Sequence, residues 1–414
     1  MKKIMFYCQY LSGMGHLVRS TEIVRNLVKY FQVYFIVGGP KIVGFEMPAQ
    51  VKLIQLPALW LENGRFIVED DYNSVEEVKE LRKNLLISEF DKTKPDYLIT
   101  EFFPFGRHKL LFELVPLVEH IKTTSPDTKI LCSLRDVIGK DSNQEEEETI
   151  CYLMNRYFDL LLFHADARFQ QFSETFPRYK DIKAEIIHTG FVTQPVMKNI
   201  DDHQLWGEVN PGIKKILVSV GGGRIGYELL KTVIEASPIL ARQIPCIIKI
   251  FTGPFMPEEK VDQLTQLTAH QENIHIETYT LQLLAYMQTA DISLSLSGYN
   301  TTINILSTGV RAIVVPIGHE NEDKEQLIRT QKLQQLGILD YMFAQDLEAY
   351  NLADRIITCL NKNRAWESYP QFDLQGAEKT AVFLKNLSHG EEDTCAGGFP
   401  ELSKVSVTHK RGGV

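Results

Sequence analysis

Apolar runs alternate with amphipathic stretches along most of the chain, which predicts strand, loop and helix in repeated order. A first series of predicted strands comprises Lys3–Cys8, Val33–Val37, Val51–Leu56, Tyr97–Thr100, Lys129–Ser133, Asp159–Phe163 and Glu185–His188. A second series comprises Lys214–Val220, Cys246–Phe251, Ile274–Glu277, Ile292–Leu296 and Ala312–Val315. Continuous apolar strands separated by helices are typical of parallel sheets covered on both faces. The pattern therefore predicts an α/β fold of two doubly wound, Rossmann-like domains that face each other across a cleft.

A polar stretch between the two series indicates the domain boundary. Residues 193–211 include Pro195 and Pro211 and have few apolar positions. We predict a first domain over 1–195, a linker over 196–211 and a second domain over 212–387, which ends in a helix near Gln375–Leu387. Residues 388–414 are rich in Gly, Ser, Lys and Glu without periodicity, which is typical of a disordered tail.

Composition limits the classes of function. The formal net charge of -9 disfavours a nonspecific nucleic-acid binder, although a local basic pocket for a phosphate stays open. The six cysteines form neither a CxxC pair nor a zinc-binding pattern, so we expect reduced thiols and a cytoplasmic protein. No apolar stretch reaches the roughly 20 residues that span a bilayer. Loose attachment to a membrane surface and the oligomeric state stay open.

The loop after the first predicted strand contains the first candidate site. In doubly wound sheets, ligands bind beyond the carboxyl ends of the strands. Gly13 and Gly15 permit close backbone approach there, and His16 and Arg19 follow at the start of a helix. Imidazole titrates near neutral pH and suits a general base, and the positive helix end would keep it neutral. A helix-capping histidine without a catalytic role is equally compatible with this spacing.

Two further loops of the first domain are candidates for binding an acceptor. Glu101, Phe105 and Arg107 lie in the segment EFFPFGR, directly after the fourth predicted strand. Arg135 and Asp136 lie in the segment SLRD, after the next strand. The alternatives are a packed loop whose charges merely pair with each other and a buried Arg–Asp pair.

The second domain offers loops suited to phosphate. Glycine N–H groups at a helix start, with the positive end of the helix dipole, are a natural site for a diphosphate. After the strand Lys214–Val220 the candidates are Gly221, Gly222, Gly223 and Arg224, with a tight turn as the alternative. After Ile292–Leu296 they are Ser297, Gly298, Tyr299, Asn300 and Thr301. Asn304 lies one turn further along that helix, within reach of a ribose.

An acidic stretch follows the last predicted strand. Glu325 and Gln326 are candidates for binding sugar hydroxyls, whereas His319–Lys324 are predicted to form a solvated loop. Asp201 and Asp202 are predicted to be a solvated pair in the linker rather than metal ligands. No GxSxG, Walker A lysine or HExxH motif occurs in the sequence.

Together these loops resemble the MurG-type glycosyltransferases. The resemblance is carried, in chain order, by the Gly13–His16 loop, the Gly221–Gly223 turn and the segment Ser297–Gly309. The segments EFFPFGR and SLRD are similar to a less characterised bacterial branch of this family. The similarity covers roughly residues 1–385.

The resemblance implies a GT-B fold and an inverting transfer of a hexosyl or N-acetylhexosaminyl group without a metal or other cofactor. The donor would be a nucleoside diphosphate sugar, with a UDP-sugar expected first. His16 would be the base, and Ser297 and Gly298 would approach the phosphates. Tyr279 and Thr280 would border the nucleotide base.

Two more positions follow from the resemblance. Glu325 and Gln326 would contact the donor sugar. Asn304 stands where the family usually has an acidic residue on the ribose hydroxyls, so this chain lacks a charge-assisted acceptor there.

Two other functions stay open. Gly13–His16 with Arg19 resembles equally the UDP-sugar hydrolase of pseudaminic acid synthesis, which uses water as the acceptor. The aromatic segment Phe102–Phe105 favours transfer, since it would cradle a larger acceptor. The third hypothesis is a noncatalytic subunit that binds a nucleotide-sugar. In that case Asn304 would indicate a donor site that has lost its acidic residue. The sequence does not identify the acceptor.

Overall fold

The computed structural model describes residues 1–11, 13–42, 44–62, 64–138, 143–317, 324–362 and 371–390. Its strands are β1 (Lys3–Cys8), β2 (Gln32–Val37), β3 (Lys52–Gln55), β4 (Leu59–Glu62), β5 (Arg65–Val68), β6 (Tyr97–Glu101), β7 (Lys129–Arg135), β8 (Leu160–His164), β9 (Glu185–His188), β10 (Lys214–Ser219), β11 (Cys246–Phe251), β12 (Ile274–Glu277), β13 (Ile292–Leu296), β14 (Ala312–Val315) and β15 (Asp340–Tyr341). Its helices are α1 (Gly15–Leu27), α2 (Val75–Thr93), α3 (Leu111–Thr124), α4 (Gln144–Tyr157), α5 (Phe172–Thr175), α6 (Asp202–Trp206), α7 (Tyr227–Ala241), α8 (Glu258–Leu267), α9 (Leu283–Thr289), α10 (Tyr299–Thr308), α11 (Glu325–Gln335), α12 (Ala349–Asn361) and α13 (Gly376–His389). Every predicted strand is present, with ends that agree within a residue or two.

Two parallel sheets organise the chain. The first has the strand order β3-β2-β1-β6-β7-β8-β9, and the second has the order β12-β11-β10-β13-β14-β15. All neighbouring strands in both sheets run parallel. This arrangement confirms the predicted α/β fold with doubly wound sheets. The antiparallel hairpin of β4 and β5 was not predicted, because its strands are short and half exposed.

Each sheet has a central strand at which the strand order reverses. β1 pairs with β2 on one side and with β6 on the other, and β10 likewise pairs with β11 and β13. The connections leave such a strand in opposite directions, which opens a crevice at its carboxyl end. The loops after β1, β6, β10 and β13 border these two crevices, and each holds candidate residues.

The predicted linker contains a short helix and packs on the second sheet. The Asp201 carboxylate caps α6 by accepting hydrogen bonds from the N–H groups of His203 and Gln204, at 3.1 and 3.2 Å. Trp206 is buried, and its Nε1 donates to the Thr289 hydroxyl at 2.8 Å. Asp201 and Asp202 are both exposed, as predicted, although a helix begins there and Asp202 pairs with Lys215.

The last helix returns to the first sheet. Ala377, Ala381 and Leu384 of α13 pack in one apolar cluster with Leu17 and Val24 of α1. The ranges 1–195, 196–211 and 212–387 stay predictions, and α13 shows that the chain crosses back before residue 387. Residues 391–414 of the predicted tail lie outside the described residues. Within the described ranges, no helix combines the length and the apolar character needed to cross a bilayer.

Candidate active site

The candidate loops of the two sheets meet face to face. A Cβ placed on Gly222 would lie 3.5 Å from the Cα of Gly13. The Asn300 amide donates to the carbonyl of Gly15 at 2.9 Å. Arg224 donates to a Glu62 carboxylate oxygen at 3.2 Å, which ties the loop after β10 to the hairpin of the first domain. The loops at both crevices therefore line a common interface.

His16 and Glu101 form a dyad at the first crevice. His16 lies in the first turn of α1, and Glu101 is the last residue of the neighbouring strand β6. The Nδ1 atom of His16 lies 2.6 Å from Oε1 of Glu101, which is fully buried, whereas the His16 side chain is 20% exposed. A carboxylate at Nδ1 fixes the neutral ring with its proton on that nitrogen, so Nε2 is left to accept a proton.

The electrostatic surroundings keep the imidazole neutral. Burial and, after it, the charge of Arg107 lower the pKa of His16 to about 3, against the opposing effect of Glu101. The causes of this shift are therefore burial and Arg107 rather than the helix end that the sequence suggests. Burial alone would raise the pKa of Glu101, but His16, Arg107 and Arg19 hold that pKa well below its usual range. The imidazole is therefore neutral and the carboxylate is charged, and in this state Nε2 of His16 can accept a proton.

This pKa predicts an unusual pH profile. A base that loses activity only when protonated should keep kcat/KM level from about pH 8 down to about pH 5, because its pKa is about 3. The measurement is the rate of nucleoside diphosphate release against pH, with thermal unfolding in the same buffers as the control for loss of fold. An acidic limb centred near the ordinary histidine value of about 6.5 would contradict the assignment.

Arg19 and Arg107 both pair with the Glu101 carboxylate. Arg19 pairs with Oε1 of Glu101, and Arg107 donates to Oε2 at 2.8 Å. The guanidinium of Arg19 also stacks on the ring of Tyr299, with 5.3 Å between its Cζ and the ring centroid. Both arginines therefore help to hold the carboxylate that orients His16.

The aromatic loop after β6 belongs mostly to the core. Phe105, predicted to contact an acceptor, is 3% exposed and packs edge-on against Phe172 and Phe176, at centroid distances of 5.5 and 5.2 Å. All three phenylalanines of this segment belong to one buried cluster, which corrects the prediction for Phe105. Phe102 differs, because its ring lies 5.9 Å from that of His16.

A charged network joins the two domains behind the dyad. Asp136 accepts a bidentate pair from Arg329, at 2.7 Å from Nε and 2.8 Å from Nη2. Glu325 pairs with both Arg135 and Arg329 and is 3% exposed. In the structure Glu325 makes these ion pairs instead of being free to contact a donor sugar, as the sequence predicted. Asp136 does not pair with Arg135, contrary to the sequence alternative.

Sequence reasoning missed Arg329. It lies on α11 four residues after Glu325, and this i,i+4 spacing of opposite charges on a helix was the available signal. Gln326, also predicted at the donor sugar, accepts from the backbone N–H of Ile317 at 3.0 Å and so supports the loop after β14. Residues 319–323 of the predicted solvated loop lie outside the described residues.

The turn after β10 has the backbone shape expected of a phosphate cradle. Gly221 and Gly223 have φ angles of 66° and 89°. A Cβ on Gly223 would lie 2.4 Å from the carbonyl oxygen of Thr252, so only glycine fits there. Helix α7 begins at Tyr227 rather than directly after the glycines, with Gly226 between. The turn therefore offers backbone N–H groups without being the first turn of the helix itself.

The loop after β13 leads directly into α10. Gly298 precedes the helix, and a Cβ placed on it would meet nothing within 4 Å, so this helix start is open. The side chains of Ser297 and Tyr299 are buried instead: Ser297 bonds Thr330, and the Tyr299 hydroxyl accepts from the N–H of Val192 at 3.1 Å. Thr301 is half-buried on the first turn of α10. Backbone groups rather than these hydroxyls are available to a phosphate.

The remaining donor-side residues lie where the second sheet faces the first. Tyr279 is half-buried, packs against the first domain's apolar cluster and has its pKa raised by burial. The Thr280 hydroxyl accepts from the N–H of Gln282 at 3.0 Å. Asn304 is buried and lines a cavity of about 10 Å³ with Arg19 and Glu22. A ribose at Asn304 would need this cavity to widen.

No set of three or more His, Cys, Asp or Glu side chains in the described ranges is placed to hold a metal ion. Metal independence itself stays a prediction.

Comparison with known proteins relates the second domain to a glycosyltransferase family and the whole chain to a known fold. Residues 217–382 match the model of the glycosyltransferase family 28 C-terminal domain. MurG of Acinetobacter baumannii is 14% identical, with a TM-score of 0.54 over 94% of this chain and 99% of that one. UGT2 of Phytolacca americana, complexed with UDP-2fluoro-glucose and pterostilbene, is 14% identical, with a TM-score of 0.59 over 93% and 94% of the two chains. A putative UDP-N-acetylglucosamine 2-epimerase from Listeria monocytogenes is 13% identical, with a TM-score of 0.62 over 95% and 98%.

No curated protein matches the sequence significantly. The structural likenesses, at such low identities, show the shared fold of two Rossmann-like domains, and the family model adds the glycosyltransferase relationship for the second domain. The chain therefore has a GT-B fold of two Rossmann-like domains, and its residues 217–382 match the glycosyltransferase family 28 C-terminal domain.

Proposed function

We propose that the protein transfers a sugar from a UDP-sugar to an acceptor hydroxyl, with inversion at the anomeric carbon and without a metal ion. The observation that carries the proposal is the His16–Glu101 dyad, at 2.6 Å, in the crevice that faces the glycine turn of the second domain. UDP is favoured because UGT2 was solved with UDP-2fluoro-glucose. The acceptor is the second substrate, and we place the reaction in the cytoplasm, in keeping with the buried free thiols of the described cysteines.

The dyad and the cradle divide the chemistry between the domains. Nε2 of His16 removes the proton from the acceptor hydroxyl, and the oxygen attacks the anomeric carbon from the face opposite the leaving group. The bond from that carbon to the diphosphate oxygen breaks, and the diphosphate leaves with the electron pair. Backbone N–H groups of the Gly221–Gly223 turn and the start of α10 stabilise the growing negative charge. Attack from the opposite face inverts the anomeric configuration.

The test is donor turnover with analysis of the sugar product. Purified protein is incubated with α-linked UDP-sugars and a panel of acceptors, in the presence of a chelator, and release of UDP is measured. The proposal predicts turnover in chelator and, by NMR, a β-linked product. A retained α-configuration would contradict the inverting mechanism, and activity only on addition of a divalent cation would contradict metal independence.

Hydrolysis is the second candidate, and one observation favours it. The aromatic loop that argued for a larger acceptor is largely core, since Phe105 is buried against Phe172 and Phe176. Water would then take the proton-donor position at Nε2 of His16. Release of free sugar at a rate of at least about 1 s⁻¹ without any acceptor would establish the hydrolase. Release that depends on an added acceptor would establish transfer.

Asn304 gives a test of where the ribose binds. Asn304→Asp is expected to lower the Kd for UDP roughly tenfold, because a carboxylate accepts hydrogen bonds from ribose hydroxyls more strongly than an amide oxygen does. Calorimetric titration with UDP measures the change. Asn84→Asp, at an exposed position of α2, adds the same charge away from the site and should leave the Kd unchanged. An unaltered Kd in Asn304→Asp would count against the ribose assignment.

A further inference from the structure

Four arginines converge on the interface beside the dyad. Their side chains are between 0 and 16% exposed: Arg19, Arg107, Arg135 and Arg329. Each has one buried nitrogen without a hydrogen-bond partner in the described part of the chain. These are Nε of Arg19, Arg107 and Arg135 and Nη1 of Arg329. Because buried donors without partners are costly and rare, the cluster points to a missing acceptor of hydrogen bonds.

The ion pairs of these arginines leave an excess of positive charge. The four guanidinium groups pair with only three carboxylates, which are those of Glu101, Asp136 and Glu325. Burial lowers the pKa of Arg135, and the charges of Arg19 and Arg329 lower it further, against the opposing charge of Glu325. The positive charges are thus crowded, and an added anion would relieve that crowding.

Two of the arginines lie beside the same aromatic ring as the base. The ring of Phe102 has the Arg135 Cζ at 4.7 Å and the Arg107 Cζ at 5.9 Å from its centroid. The His16 ring centroid lies 5.9 Å from the same ring. The two guanidinium groups and the imidazole therefore all lie beside one phenyl ring.

The first domain supplies both of these arginines. Arg107 follows β6 and Arg135 ends β7, beside the β1 loop that carries His16, whereas the proposed diphosphate cradle lies in the second domain. Arg107 is 9% exposed and has its buried Nε unpartnered, and Arg135 has the same unpartnered atom. The anion that they would bind is therefore on the acceptor's side of the reaction.

We propose that the acceptor carries an anionic group, a carboxylate or a phosphate, close to its reacting hydroxyl, and that Arg107 and Arg135 bind this group. Guanidinium groups match both anions through paired N–H donors, so the shared chemistry is a planar or tetrahedral oxyanion. Binding it beside His16 holds the neighbouring hydroxyl at Nε2. This substrate class rests on the proposed function, since it presumes that His16 accepts the proton of an acceptor.

The experiment compares charged and neutral probes on the intact protein. Calorimetric titrations with glucuronic acid, glucose 1-phosphate and glucose are carried out with and without saturating UDP. An anionic probe is expected to bind at least about tenfold more tightly than glucose, as a charge-assisted pair predicts. A preference for glucuronic acid assigns the carboxylate, and a preference for glucose 1-phosphate assigns the phosphate.

Variants assign the binding to the two arginines. Arg107→Gln and Arg135→Gln should each weaken binding of the anionic probe about tenfold while leaving the Kd for UDP within a factor of about two. Arg178→Gln, which removes a surface arginine paired with Asp181, is the matched control and should change neither constant.

The outcomes separate this inference from the function on which it rests. Equal binding of all three probes by the wild type would overturn the inference whether or not the variants fold, even if UDP binds well. Weakened UDP binding in Arg107→Gln and Arg135→Gln, with unchanged binding of the anionic probes, would assign the arginines to the donor and overturn it as well. Failure of the wild type to bind UDP would contradict the proposed function instead, while the titrations without UDP would still decide the preference for anions.

Discussion

Replacing His16 by alanine is expected to slow release of nucleoside diphosphate about 10²–10⁴-fold, the usual contribution of a general base. The loss should appear in kcat, because the side chain acts on the proton that moves during the reaction, while the Kd for UDP should stay nearly constant. The dyad geometry carries this expectation, since the Glu101 carboxylate at 2.6 Å leaves only Nε2 of the neutral ring free for the acceptor.

A matched histidine outside the interface serves as the control. His120 also pairs through a ring nitrogen with a carboxylate, that of Asp91 at 2.7 Å, but it lies on α3 away from the cleft loops. His120→Ala should leave kcat unchanged. If His16→Ala kept its kcat and its thermal stability, the base would have to be another residue and the dyad would be structural.

The second large effect concerns stability. Glu113→Gln is expected to lower the free energy of unfolding by about 3–5 kcal/mol, the usual cost of breaking a buried ion pair. The Glu113 carboxylate is fully buried and accepts from Arg82 at 2.8 Å from Nε and 2.7 Å from Nη2, and also from the Tyr7 hydroxyl. Without it, the fully buried Arg82 would keep its charge while its carboxylate partner is gone.

Urea denaturation, monitored by circular dichroism, measures this loss. The first unfolding transition of the variant is compared with that of the wild type. Glu119→Gln, at an exposed position on the same helix α3, changes the same side chain outside the core and should leave the transition close to that of the wild type. Similar stabilities for Glu113→Gln and Glu119→Gln would mean that the buried network contributes little.

The positions of the candidate loops could be predicted from the sequence, because strand periodicity and glycine-rich turns are local signals. The apolar runs at β1, β6, β10 and β13 indicated strands, and the rule that ligands bind at carboxyl ends of strands selected the loops that follow. The resemblance to MurG-type enzymes agrees with the match of residues 217–382 to the glycosyltransferase family 28 C-terminal domain. His16 was chosen for the same reasons, although its role stays a prediction.

The partners of the charged residues could not be predicted, because they depend on contacts between distant segments. Asp136 and Arg329 are 193 residues apart in sequence, and only the packing of the two domains brings them together. Glu325 was expected to face a sugar, but its position beside Arg135 and Arg329 makes it part of the interface. Phe105 was misassigned because an aromatic residue in a loop has the same sequence signal whether it packs inward or binds a ligand.

The facing loops also predict that donor entry requires the domains to separate. Gly13 and the Cβ position of Gly222 are only 3.5 Å apart, and the cavity beside Asn304 holds about 10 Å³. A diphosphate between these loops would displace such contacts. Separation of the two domains would admit the donor. Their closure would then exclude water from the dyad.

The central claim, that this interface binds a nucleoside diphosphate, is tested most directly by thermal unfolding in the presence of UDP, dTDP, GDP, ADP and CDP. A diphosphate at about 100 times its Kd should stabilise the native protein by about 2.7 kcal/mol. The account predicts a rise in Tm that is selective for one diphosphate, with UDP expected. An unchanged Tm with all five nucleotides would contradict the donor site and favour a noncatalytic role for this GT-B protein.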